Sequence, residues 1–118
     1  MTSIEQIAEA VLDGDGLLAR SLVQDFVRDQ PVLVDIPQPQ TTNHHLLAMT
    51  ASLLELLAQR MGQIAPAWTE AIGPTDTPTF LVQAAQKMKR LRELCQQESP
   101  EPLRKRGFYA PPGYLEFA

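Results

Sequence analysis

The sequence predicts an all-α fold: a compact bundle of about four main helices with an extended, proline- and aromatic-rich C-terminal tail. Three observations carry this. Apolar residues recur at helical spacing in four stretches. The ten prolines fall between those stretches or near the C-terminus, where they act as breaks. No two strand candidates of similar quality exist to form a ladder. At 118 residues the chain has the length of one domain and can bury a core without disulfides or metal. It divides into a helical domain, 1–106, and a tail, 107–118, packed on the same domain.

The first helix is expected over 2–13, with Thr2-Ser3-Ile4-Glu5 as a capping box and Ile4, Ile7, Ala8, Val11 and Leu12 on one face. Gly14 stops it, because glycine takes the left-handed conformation at little cost. Asp15 caps a second helix over 16–30, which carries Leu18, Leu22, Val23, Phe26 and Val27 and ends at Pro31. The Asp-Gly-Asp-Gly turn brushes against a calcium-loop pattern but lacks the later oxygen ligands of one. Residues 31–41 hold three prolines and read as an extended crossover pinned by Val32, Leu33 and Ile36. The third helix, 42–62, is capped by Thr42 or Asn43 and ended by Gly62. Its leucines and methionines cover more than one face, which places it centrally. Thr77-Pro78 reads as the start of a fourth helix over 78–97, with Phe80, Leu81, Ala84, Ala85, Met88, Leu91 and Cys95 inward. The expected core is Ile7, Val11, Leu22, Phe26, Leu53, Leu57, Leu81, Met88 and Leu91.

Net charge is −4, split into −7 over residues 1–86 and +3 over 87–118. Such asymmetry fits an acidic partner for the basic end, or two halves that complement each other within one fold. The run Lys87-Met88-Lys89-Arg90-Leu91-Arg92 can neutralise a few phosphates. The chain as a whole is acidic, however, and no recognition helix or stacking platform accompanies the run, so nucleic acid is a secondary reading. The N-terminus shows neither a basic nor an apolar signal region, and no apolar run approaches a membrane span. With a single cysteine, Cys95, the expected setting is the reducing cytoplasm, without membrane association.

No motif announces catalysis, a metal or an organic cofactor. His44 and His45 point about 100° apart on a helix and cannot act as an i, i+4 ligand pair. Cys95 lies near a helix C-terminus, where the dipole disfavours a thiolate. The expected role is therefore that of a non-enzymatic interaction protein, with a protein partner or a homo-oligomer. A small enzyme of unrecognised type is a further alternative.

The tail is the most informative segment. Phe108, Tyr109, Tyr114 and Phe117 are four of the chain's seven aromatic residues, interleaved with prolines that keep the chain extended. With Arg104 and Arg106 they form the candidate partner-binding set, since aromatic and arginine side chains dominate binding hot spots. The alternative is that the tail wraps its own domain, with Tyr114, Leu115 and Phe117 covering the gap between the third and fourth helices.

Leu56-Leu-Ala-Gln-Arg60, Pro66-Ala-Trp-Thr69, Pro78-Thr-Phe-Leu81, Glu98 through Arg106 and Pro112 through Ala118 together carry a resemblance. Over about residues 46–118 the chain is similar to a group of small bacterial proteins. These share a tryptophan after proline, a long helix and an SP-x-x-LR-x-R…P-x-x-L ending. A similar tail ends some helix-turn-helix regulators, and relatives resemble antitoxin-side neighbours of nucleotidyltransferase-like genes. The resemblance implies an antitoxin-like or adaptor partner of a cytosolic enzyme. No clear helix-turn-helix is present here, so DNA binding does not carry over from it.

Overall fold

The computed structural model describes residues 2–82, 85 and 87–115. Helix α1 spans Ile4–Leu12 and opens on a capping box, one residue later than the sequence suggested. Ser3 Oγ accepts from the Gln6 amide, and the Gln6 side chain accepts from the Ser3 amide. Its apolar stripe, Ile4, Ile7, Ala8 and Val11, is buried. Gly14 turns the chain at φ 78°, and the Asp15 side chain caps α2, Gly16–Arg28, by accepting from the Leu18 amide. Helices α1 and α2 pack together as a hairpin, and α1 also lies along α3, His44–Met61.

Asn43 caps α3 and Gly62 ends it at φ 68°, as the sequence indicated. Residues 48–58 of α3 are all buried, so this helix is the axis around which the rest is arranged. The crossover before it contains a short 3₁₀ turn, Leu33–Asp35. Gln63 clamps that turn by donating to the Pro31 carbonyl and accepting from the Leu33 amide. Trp68, in a second 3₁₀ turn, Ala67–Ala71, donates its indole N–H to the Ile36 carbonyl.

The segment after Pro78 departs from expectation. No helix begins there. Thr79–Phe80 forms a strand, β1, paired in parallel with β2, Phe108–Tyr109. The Thr79 amide donates to the Gly107 carbonyl and the Leu81 amide to the Tyr109 carbonyl. The residue before a proline is pushed to extended backbone, and Thr79, Phe80 and Val82 are of the β-branched and aromatic types that favour strands. The tail then supplies the ladder partner that the sequence did not reveal.

Helix α4 therefore covers only Lys89–Glu98. Met88 stands outside it with extended backbone and is 56% exposed, so it is not the core residue expected. Leu91 and Leu22 are half-buried, the latter packed against the core. Leu81, Ala85 and Cys95 are buried as expected, and Ala84 lies outside the described residues. A last short helix, α5, Glu101–Arg104, starts after Pro100 with Pro102 in its first turn, where a missing N–H costs nothing. Among the described residues the chain is thus mostly helical, with one two-stranded parallel ladder. Among the described residues no helix is long and apolar enough to cross a membrane.

Candidate functional site

Glu55 is the one acid on the buried stretch of α3, and it is answered by two cations from the end of α5. Arg106 holds it through both guanidinium nitrogens, at 2.6 Å to Oε1 and 3.1 Å to Oε2. Lys105 Nζ lies 2.7 Å from Oε1. The remaining Arg106 donors reach the carbonyls of Thr69, Ile72 and Pro102, so a buried guanidinium is satisfied on every side. Burial alone raises the Glu55 pKa. The hydrogen bonds from Arg106 and Lys105 and the charge of Arg106 overcome it and lower it from 4.5 to about 2. This cluster ties α3, the Trp68 turn and α5 together, and its polar atoms are engaged with one another.

The rest of the tail anchors to the same frame. Phe108 is fully buried, with its ring 5.4 Å from that of His45. The Ser99 hydroxyl lies against the carbonyls of Cys95 and Ala110 and accepts from the Ala110 amide. Arg60, near the C-terminus of α3, donates to the Tyr114 carbonyl at 2.6 Å. Leu115 is buried. The described part of the tail thus packs on its own domain. Phe108 and Ala110 lie against α3 and the end of α4, and the Tyr114–Leu115 end lies beside the start of α2 and the end of α3.

Of the six residues read from the sequence as a partner surface, Arg106 and Phe108 are buried in the fold and cannot serve one in this conformation. Arg104 is exposed and donates to the Gln97 carbonyl. Tyr109 is half-buried, its ring 5.4 Å from that of Phe80. Tyr114 is half-buried, and burial pushes its phenol up to about 12. Phe117 lies outside the described residues.

What the structure gathers around Tyr114 is a feature the sequence did not show. A cleft of about 500 Å³ is lined by Gly16, Leu17 and Arg20 from α2 and by Pro111, Gly113, Tyr114 and Leu115 from the tail. Leu17 is 84% exposed at its edge. The only sequence signal was negative: Leu17 fell outside the inward stripe of α2. The lining joins an aromatic ring, an aliphatic side chain and an exposed arginine.

His44 Nε2 donates to the Pro74 carbonyl, and His45 Nδ1 sits 3.2 Å from Thr75 Oγ1, so both fasten the 74–77 loop. Burial pushes the Cys95 thiol up, away from the reactive thiolate. Among the described residues no group of three or more His, Cys, Asp or Glu is placed to hold a metal ion. No protein-family model, curated protein or solved structure matches the chain.

Proposed function

We propose that the protein is a docking module, an adaptor-type partner for another protein, with the Leu17–Tyr114 cleft as its receptor face. One observation carries the reading: Leu17, 84% exposed, stands at the rim of an apolar cleft that also presents Tyr114 and Arg20. A scattered surface leucine needs no explanation. Tyr114 and Arg20 are of the residue types that dominate binding hot spots, and a leucine contiguous with them extends an exposed apolar patch of the kind that marks interaction sites. The fitting occupant is a protein segment that inserts an apolar side chain against Leu17 and Tyr114 and sets a carboxylate against Arg20. The antitoxin-like role implied by the C-terminal resemblance is one form such a partnership takes.

The test is capture of the partner from the native cell, followed by two surface substitutions. Leu17→Asp and Arg20→Glu should each abolish the interaction while leaving the melting temperature within about 2 °C, since both side chains are solvent-facing. A partner retained at full affinity by both variants would remove the cleft from consideration.

A further inference from the structure

The basic end of the chain is only partly neutralised by the fold. Of its seven cations, Lys105 and Arg106 pair with Glu55. Arg92 and Arg104 donate to backbone carbonyls. Lys87, Lys89 and Arg90 are exposed and make no ion pair among the described residues. Between them projects Met88, 56% exposed. The result is a knob: an exposed, polarisable apolar side chain flanked along the chain by three exposed cations.

A socket of opposite character exists elsewhere on the surface. The C-terminal end of α1 and the first turn of α3 enclose a cleft of about 410 Å³ lined by Glu9, Leu12, Asp13, Asn43, His45 and Leu46. Leu12 and Leu46 are half-buried and supply apolar lining, while Glu9 and Asp13 are exposed carboxylates. Glu9 and Asp13 make no ion pair among the described residues. Asp15 adds a third acid at the adjoining turn. His45 is the other titratable group facing this cleft.

We infer that a second copy of this chain docks here, Met88 of one molecule entering the Glu9–Leu12–Asp13–Leu46 cleft of the other while Lys87, Lys89 and Arg90 meet its carboxylates. The match is in both kind and sign. Methionine adapts to an irregular slot in which Leu12 and Leu46 are the apolar contacts, and complementary charge around it sets partner choice and orientation. Each molecule carries one knob and one socket. Two copies can therefore engage reciprocally about a two-fold axis, or a chain of copies can close into a ring. The residues lining this cleft and the Leu17–Tyr114 cleft do not overlap, so Met88→Asp and Leu17→Asp report on self-association and docking separately.

Sedimentation velocity on the 118-residue chain, monomer mass 13.1 kDa, tests this with two charge-reversal variants. One is Lys89→Glu/Arg90→Glu. The other is Glu9→Lys/Asp13→Lys. The wild type should associate at low ionic strength and dissociate toward the monomer as salt rises to about 0.5 M, where exposed charges are screened. Each variant alone should associate more weakly by a factor on the order of ten or more, with a circular dichroism spectrum unchanged from wild type. An equimolar mixture of the two should recover a complex, because the intact knob of one meets the intact socket of the other. Met88→Asp should weaken association without altering the fold.

A wild type that remains monomeric at high micromolar concentration in low salt overturns the inference. So does association untouched by either variant, or a mixture that stays monomeric. Fluorescence anisotropy with a short DNA duplex supplies the competing outcome. Duplex binding by a monomeric wild type, lost in Lys89→Glu/Arg90→Glu, would assign the basic knob to phosphate and refute the second copy.

Discussion

A carboxylate on a helix buried along its whole middle can stay ionised only if cations reach it, and at Glu55 two do. Arg106 is 2% exposed, so truncating it leaves a buried negative charge. Arg106→Ala is expected to lower stability by about 3–5 kcal/mol in a urea titration. Arg106→Lys should recover only part of that, because an ammonium cannot reproduce the two-pronged contact or reach three carbonyls at once. Replacing both partners, as in Glu55→Leu/Arg106→Met, should cost less than the sum of the single changes, since no unpaired charge remains. The pH dependence follows from the direction of the shift. The Glu55 pKa is depressed from 4.5 to about 2 in the folded chain. Its contribution is therefore present above about pH 4.5 and lost as pH falls through about 2. The acid limb of a melting-temperature profile should be steeper for wild type than for Glu55→Gln across that window. Glu55 was not among the residues singled out from the sequence. A lone acid in a leucine-rich helix signals a buried partner, but nothing in the sequence near residue 55 says that the partner arrives from residues 105 and 106.

At the scale of elements, local signals placed several caps and glycine stops correctly, although the α1 capping box uses Ser3 and Gln6 in place of Thr2 and Glu5. Asp15, Asn43, Gly14 and Gly62 act where the sequence placed them. The expected helix start at Pro78 did not form, because Thr77-Pro78 has the chemistry of a helix start and also that of an extended lead-in. The choice is made by a segment nearly thirty residues away, since the strand exists only because the tail pairs with it. Parallel pairing has no local turn to announce it. Gly107 is the position on which that pairing turns. Its φ is +88°, and an added Cβ would stand 3.3 Å from Thr75 Cγ2. Gly107→Ala should therefore destabilise the chain by about 1–2 kcal/mol, through an unfavourable left-handed backbone and a tight contact together. Amide exchange offers a local check. The Thr79 and Leu81 amides, which donate to Gly107 and Tyr109, should lose protection in the variant, while the α1–α2 hairpin keeps its own.

For the molecule as a whole, the question is whether residues 107–118 are an appendage or a structural member, and the buried residues give the answer for the described part. Phe108 and Ala110 are fully buried and Leu115 is 5% exposed. The segment also accepts hydrogen bonds from Arg60, from the Ser99 hydroxyl and from the amides of Thr79 and Leu81. Removing it would empty part of the core beside α3 and strand those donors. Loss of one buried phenylalanine costs about 3–5 kcal/mol, against a total stability of about 5–15 kcal/mol for a domain of this kind. A chain ending at Arg106 is therefore expected to lose its cooperative thermal transition or to melt far lower, as followed by circular dichroism at 222 nm. Phe108→Ala in the full chain should show an intermediate shift. Leu17→Asp should leave the transition in place, because Leu17 faces solvent. A free recognition tail would give the opposite pattern: truncation at Arg106 would spare the melting temperature and abolish only partner binding. The two patterns differ in which variant moves the melt, so one set of thermal curves on these three proteins decides between them. A cooperative, wild-type-like melt for the chain ending at Arg106 would mean that the α3-centred bundle folds without Phe108, and that the strand pair is an accessory to it.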